Sequence, residues 1–271
     1  MHGLGNDFII PGNFDLDNYD LSKLASELCD RRLGIGADGI ILVLPSDKAD
    51  VRMRIINSDG SEPDMCGNGI RCFARFVYEN GIVDKTEFSV ETFAGIMVPG
   101  LNIEDGKVVS VQVNMGKPTF NRIDIPMLGN SVDAIAQPLS INGSDYSITS
   151  MLMGVPHTMV YADIVANVNV EKDGSLIEKN ELFPEGTNVN FVEVINMNEI
   201  IVRTWERGAG ATMACGTGCC ASVVSSVLNK KTGNKVIVHL PVGDMVIEWN
   251  KGEDVFMTGP AELVFEGVIE I

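Results

Sequence analysis

Cys66-Gly67-Asn68-Gly69 and Cys215-Gly216-Thr217-Gly218 are two copies of one short pattern set 149 residues apart. A thiol donates a proton, its thiolate accepts one, and the two interconvert near neutral pH once their surroundings shift the pKa. Such a pair suits a reaction that inverts a carbon bearing a hydrogen. One base removes the proton and one acid supplies another from the opposite face. A glycine-rich approach to a helix leaves its first backbone N–H groups open to an anion, and the macrodipole adds roughly half a positive charge there. The N–H groups of Gly67, Asn68, Gly216 and Thr217 would then cradle a carboxylate and stabilise the enolate-like charge that develops on it. The same field is expected to lower each cysteine from a free-thiol pKa of about 8.5 toward neutrality. No lysine signature for a pyridoxal Schiff base and no dinucleotide glycine fingerprint stands out, so this chemistry calls for no cofactor.

The elements that must position the two thiols read as matching halves. Ile70 to Tyr78 has no proline or internal glycine and stops at Asn80-Gly81, a helix C-cap signature. Cys219 to Leu228 continues likewise, with Lys230 and Lys231 expected in its last turn and Gly233 beyond. The strand-like run Met53 to Ile56 precedes the first cysteine as Val202 to Trp205 precedes the second. Asp20 should N-cap a helix from Leu21 that ends near Gly34. Further strands are expected over 40–44, 51–56, 86–92, 108–114, 147–153, 158–162, 189–194, 200–205, 236–240, 245–249 and 255–258. The reading is an α/β (α+β) fold of two similar halves with a site between them, one thiolate and one thiol facing each other across a bound acid. The first half takes residues 1–115 with a strand-like return over about 259–271. The second takes 116–258, and 117–149 have no counterpart in the first.

Composition narrows the partners. The chain has 271 residues, 45 % of them hydrophobic, which is ample for two globular cores. A formal net charge of −17 argues against nucleic acid and anionic membranes, which select basic surfaces. No basic segment followed by an apolar stretch opens the sequence and no apolar run reaches spanning length, which points to a cytoplasmic address with reduced thiols. Six cysteines and three histidines show no zinc-site spacing, so no metal is expected.

Larger blocks give these residues a family context. They are His2 to Phe8, Gly34 to Gly39, Asn57 to Glu62, Met65 to Cys72, Phe183 to Asn190, Glu206 to Gly208 and Ala214 to Gly218. In this order, across nearly the whole chain, they resemble diaminopimelate epimerase. The resemblance implies a pseudo-symmetric pair of α/β domains, each a β-barrel-like sheet wrapped around a central helix. It also implies a cofactor-independent interconversion of LL- and meso-diaminopimelate in lysine and peptidoglycan synthesis, by a cytoplasmic homodimer. By motif position, Cys66 and Cys215 are the acid/base pair, and Gly67, Asn68, Gly216 and Thr217 hold the reacting carboxylate. Asn6, Asn57, Asn188, Glu206 and Arg207 hold the remaining polar groups, while His157 and Glu206 tune the cysteine pKa values. Arg207 can pair bidentately with a distal carboxylate, and Glu206 or an Asn oxygen can accept from a distal ammonium. Three departures stand out: Val155 where many members have Asn, Gly39 where some have Gln, and Met1 directly before His2.

Plainer roles compete. Cys29, Cys72, Cys219 and Cys220 read as core packing. Gly34 and Gly36 read as turn positions. For His157, a structural hydrogen bond to backbone and pKa tuning both remain open. A proline-racemase-like enzyme and a thiol-disulfide switch are the rival functions.

Overall fold

The computed structural model describes residues 1–12, 18–141 and 143–270. Two compact units form, one of Met1–Asn114 with Thr258–Ile271 and one of Met115–Met257.

The first unit carries β1 (His2–Gly3), β2 (Asn6–Ile9), α1 (Leu21–Cys29), β3 (Gly39–Leu44), β4 (Val51–Asn57), α2 (Gly67–Glu79), β5 (Val90–Thr92) and β6 (Gly95–Met97). Its sheet follows that strand order from β1 to β6. β7 (Gly100–Glu104) and β8 (Lys107–Asn114) form an antiparallel hairpin. The apolar run of β3 buries Gly39 to Leu42 consecutively, whereas β4 alternates buried Val51, Met53 and Ile55 with half-exposed Arg52 and Arg54. Asp20 caps α1 by accepting from the N–H of Ser22 and Lys23, and Leu24, Ala25 and Leu28 pack onto Ile40, Leu42 and Ile56.

The second unit carries β9 (Gln137–Ile141), β10 (Ser144–Met153), β11 (Val155–Tyr161), α3 (Val170–Glu178), β12 (Asn188–Asn196), β13 (Glu199–Glu206), β14 (Gly210–Thr212), α4 (Gly216–Leu228), β15 (Lys235–Leu240), β16 (Gly243–Trp249) and β17 (Val255–Gly259) as far as Met257. Its strands neighbour one another in the order β17, β16, β15, β13, β12, β11, β10, β9, with β14 on β13.

The 149-residue offset is written into the hydrogen-bonding. Helices α1 and α2 map without a shift onto α3 and α4. Phe8 opposite Gly39 becomes His157 opposite Asn188, and Ile41 opposite Ile55 becomes Asn190 opposite Thr204. Farther along, Val90 opposite Met97 becomes Val238 opposite Met245, an offset of 148. Sequence periodicity had not indicated α3, because glycine and charges interrupt it. Gly174 is there for packing: a Cβ would lie 2.5 Å from the Trp205 Cβ, so only glycine lets α3 settle onto β13.

Each sheet wraps a buried helix. α4 meets β10, β11, β12, β13, β15 and β16, and Cys219 to Ser226 are buried on every side. Burying side chains such as Val223 and Val224 contributes roughly 1.5–3 kcal/mol each. The buried serines return their hydroxyls to the helix, Ser222 to the Gly218 carbonyl at 2.7 Å and Ser226 to that of Ser222 at 2.8 Å. α2 meets β1, β2, β3, β4 and β8. Its fully buried Arg71 donates to the carbonyls of Gly67 and Pro260, both at 3.0 Å, and Arg75 donates to that of Ala261 at 2.6 Å. These bonds fasten the returning chain, and Glu262 pairs with His2.

Several boundaries differ from the sequence reading. α1 ends at Cys29 and not near Gly34, because the Asp30 carboxylate takes the N–H of Arg32 and Leu33 into a turn. The strand expected over 86–92 is confined to Val90–Thr92, since Asp50 captures the Ser89 N–H and hydroxyl. Lys230 and Lys231 lie beyond the end of α4, whose C-cap is Asn229; Lys230 has φ of 56° and the Lys231 ammonium sits 4.6 Å over the Tyr161 ring. After the Glu262 bridge, residues 263–270 form no strand, and Ile271 lies outside the described residues. Among the described residues no helix is long and apolar enough to cross a membrane.

Candidate active site

Each unit presents its cysteine as the N-cap of its buried helix. Cys66 caps α2 and Cys215 caps α4, both in extended backbone. The residues that follow, Gly67 and Asn68 in one and Gly216 and Thr217 in the other, open the helix. Their N–H groups therefore have no intrahelical acceptor and a partial positive charge.

In the first unit, the turn at Leu4 and Gly5, with φ of 55° and 85°, delivers Asn6 to the start of α2. The Asn6 amide donates to Asp38 Oδ2 at 2.7 Å. A carboxylate only accepts, so the amide nitrogen faces Asp38 and Oδ1 is turned the other way. There it receives Asn68 Nδ2 at 3.2 Å and the Cys66 thiol at 3.5 Å. Arg31 anchors the arrangement, bonding Asp38 at 2.9 Å and Asp7 at 2.6 Å. Burial pushes the Asp7 carboxyl up, but the Arg31 hydrogen bond and charge outweigh it and hold the group below its usual range. Cys66 also accepts from the Gly69 N–H at 3.4 Å.

Asn57, at the end of β4, donates to the Ser61 hydroxyl at 3.0 Å within its own turn, so its side chain belongs to a separate hydrogen-bond group from Cys66. Gly39, its cross-strand partner, has no room for a side chain on this backbone: a Cβ would lie 2.7 Å from the Ile56 carbonyl oxygen.

In the second unit the Cys215 thiol donates to Glu206 Oε2 at 3.3 Å and lies 3.6 Å from the Thr217 hydroxyl. Thr212 donates to the other Glu206 oxygen at 2.6 Å. The thiol does not follow the expected fall toward neutrality. Burial, and then the Glu206 charge, push it well above its ordinary value, against weaker help from Thr217 and the Gly218 N–H. His157 meets side chains and not the backbone: Nε2 contacts the Thr217 hydroxyl at 3.0 Å and Nδ1 contacts Asn190 Nδ2 at 3.1 Å. Complete burial, with the Arg207 charge added, pushes its pKa down to about 3, so the ring is neutral at pH 7.

Asn188 Oδ1 accepts from the Arg207 N–H at 2.7 Å, and Arg207 Nη1 donates to the Glu185 carbonyl at 2.7 Å. The Arg207 side chain remains exposed, with its stem against Gly186, where φ is 72°. Val155 is 39 % exposed at the start of β11 and adds no polar group.

Cys66, Asn6 and Asn68 thus form one hydrogen-bonded group, and Cys215, Glu206, Thr217 and His157 form another. Asn190, Thr204 and Thr212 join the second group although their types alone had not marked them. The available signal was a polar residue inside the apolar run Val189 to Val192, at a position where the first half has Ile41. Among the described residues no group of three or more His, Cys, Asp or Glu side chains is placed to hold a metal ion.

Comparison with known proteins gives the chain its family. The chain matches the diaminopimelate epimerase family model over residues 1–121 and 149–264. It is 48 % identical to the diaminopimelate epimerase of Desulfitobacterium hafniense over 272 residues, 99 % of this chain and 96 % of that one. It is 50 % identical to that of Pelotomaculum thermopropionicum, covering 98 % and 96 %. Among solved structures, the Bacillus anthracis phenazine biosynthesis protein of the PhzF family has a TM-score of 0.68 at 16 % identity, covering 96 % of this chain and 92 % of its own. A hydroxyproline epimerase from Agrobacterium vitis has 0.66 at 15 %, covering 96 % and 87 %. These two share the fold alone. With a family model spanning well over half the sequence and relatives near half identical end to end, the chain belongs to the diaminopimelate epimerase family.

Proposed function

We propose that this protein interconverts LL- and meso-diaminopimelate without a cofactor, Cys66 and Cys215 exchanging the roles of base and acid at the α-carbon. One observation carries the reading: within a chain of this family, two cysteines N-cap two helices at equivalent places in a repeat. A thiolate at one removes the α-proton, and the thiol at the other returns a proton to the opposite face. The open N–H groups of Gly67 and Asn68, and of Gly216 and Thr217, hold the substrate carboxylate and stabilise charge as the α-carbon loses its proton.

The second unit contains its own activating group. Proton transfer from the Cys215 thiol to Glu206 across 3.3 Å creates the thiolate and removes the like charge that opposes it. Asn6 Oδ1 is placed to accept a hydrogen bond from Cys66 while that residue is a thiol. Asn57, Asn188, Glu206 and Arg207 contact the distal amino acid end, and Val155 and Gly39 leave it two polar contacts short of other family patterns. The reaction belongs in this reading to lysine and peptidoglycan synthesis, in the cytoplasm and by a homodimer; the relatives' name supports the lysine pathway alone.

The test is a proton NMR time course with LL-diaminopimelate in D2O under reductant and without added cofactor. Loss of the α-proton signal with formation of the meso isomer is expected, and Cys66→Ala and Cys215→Ala should each abolish epimerisation. Normal turnover by either variant would overturn the two-cysteine assignment.

A further inference from the structure

The second unit holds a buried polar chain that the first lacks. Thr204 Oγ1 donates to Asn190 Oδ1 at 3.0 Å, and Asn190 Nδ2 meets His157 Nδ1 at 3.1 Å. Asn190 and His157 are wholly buried and Thr204 nearly so. At the repeat-equivalent positions stand Phe8, Ile41 and Ile55, all buried and apolar, with the Ile41 and Ile55 methyls against Gly69. The fold therefore accommodates an apolar trio at this place, and packing alone does not call for the polar one.

The direction of each bond follows from its neighbours. Asn190 Nδ2 also faces the Met159 sulfur at 3.8 Å, and a thioether has no hydrogen to give, so the amide nitrogen belongs on that side. Asn190 Oδ1 then faces Thr204 and presses on Gly218, where a Cβ would come within 2.4 Å of it. Nδ1 of His157 must accept, which leaves the hydrogen on Nε2. Nε2–H donates to Thr217 Oγ1 at 3.0 Å, and the Thr217 hydroxyl hydrogen is turned toward Cys215 Sγ at 3.6 Å.

We propose that Asn190, oriented by Thr204 and Met159, is a positioning residue that fixes His157 as the Nε2–H tautomer and thereby aims the Thr217 hydroxyl proton at Cys215. The proposal rests on the reading of Cys215 as an acid/base residue. When the thiol proton passes to Glu206, the hydrogen bond that Thr217 gives the sulfur becomes charge-assisted and strengthens, so the chain favours the thiolate. Neutral His157 is a donor in this arrangement and not the base. The titratable and charged groups around the chain are Cys215 at the N-cap of α4, Cys219 on α4, Glu206 at the end of β13 and Arg207 beyond it. In the first unit Asn68 stands in the place of Thr217 and donates to Asn6.

The first measurement leaves Thr204, Asn190, His157 and Thr217 unsubstituted. Histidine ring nitrogen shifts of the labelled protein, with His2→Gln and His239→Gln used for assignment, should show His157 with Nδ1 unprotonated and Nε2 protonated from pH 8 down to about 5. An Nδ1–H tautomer, or an imidazolium at pH 6, would sink the proposal whether or not the protein epimerises diaminopimelate. The second measurement compares Asn190→Asp, Thr204→Val and Thr204→Ser. A carboxylate at 190 should draw the hydrogen to Nδ1, make Nε2 an acceptor for Thr217, lower kcat about tenfold or more and move the basic limb of the pH profile, with KM little changed. Thr204→Ser should restore the tautomer and rate that Thr204→Val loses. An unchanged tautomer and pH profile in Asn190→Asp would count against the idea, and loss of turnover in the unsubstituted protein would instead remove the functional reading beneath it.

Discussion

Cys215 Sγ lies 3.3 Å from Glu206 Oε2, a thiol donating to a carboxylate, in a residue that is only 6 % exposed. The carboxylate raises the thiol pKa, and in the proposed mechanism it is also where the thiol proton goes, leaving a thiolate.

Glu206→Gln separates these effects. The charge that raises Cys215 disappears, so in a Cys66→Ala background Cys215 should alkylate at lower pH than with Glu206 present. Epimerisation by the Cys66-containing Glu206→Gln protein should nevertheless fall about a hundredfold or more in kcat, because the proton acceptor is gone. Equal kcat for the two proteins would refute the acceptor role.

His157 links folding to acid. Its pKa of about 3 in the folded chain lies below the ordinary 6.5. Between those values the unfolded chain binds the extra proton, so stability at pH 7 should erode as pH falls through 6.5 and continue falling toward 3. The triple replacement His157→Phe, Asn190→Ile and Thr204→Ile, which copies Phe8, Ile41 and Ile55, should remove that dependence. Denaturant titrations at pH 7 and 4.5 would read it, and the unsubstituted protein should show the larger difference between the two pH values.

Breaking the chain at each point separately should cost more in sum than removing it whole. Asn190→Ile alone strands the buried His157 nitrogen and Thr204 hydroxyl, a loss of about 1–3 kcal/mol, whereas the triple replacement should lose less than the sum of its three singles. Additivity of the singles in equilibrium unfolding would contradict this.

Gly218→Ala should destabilise by about 1–3 kcal/mol, since its methyl would overlap Asn190 Oδ1. Combined with Asn190→Ala it should cost less than the two singles added together, and a coupling energy near zero in the cycle would show that the overlap is relieved elsewhere.

Arg71→Met removes the donors to Gly67 and Pro260 from the core of the first unit. A loss of about 2–4 kcal/mol is expected, with faster amide exchange at Glu262, whose N–H bonds the His2 carbonyl at 2.8 Å. Unchanged exchange there would mean that the returning segment is held by other contacts.

Local rules were sufficient wherever a residue's partner is close in sequence. The Asp20 cap, the helix starts at the two cysteines and the strands flanking them were all readable, because caps and periodicity act over three to four residues. Helix α3 was not, although adding the repeat offset to Leu21–Cys29 places it at Val170–Glu178. Its Gly174 reads as an interruption in the sequence and is explained only by Trp205 packed against it.

The same division runs through the site. Sequence by itself supplied the duplicated Cys-Gly-x-Gly pattern, its family and its polar neighbours, since these are matters of residue type and order. Tertiary structure decided which way the Cys215 and His157 pKa values move. The helix start alone argued for a lowered Cys215 pKa, yet burial and Glu206, which β13 brings alongside, reverse the direction. Asn190 and Thr204 carry no chemical signature along the chain and become part of the site only through strand register, which lines them up beneath His157. A pKa depends on every charge, dipole and desolvating neighbour within a few ångströms, and those neighbours are assembled by folding, not by order in the chain.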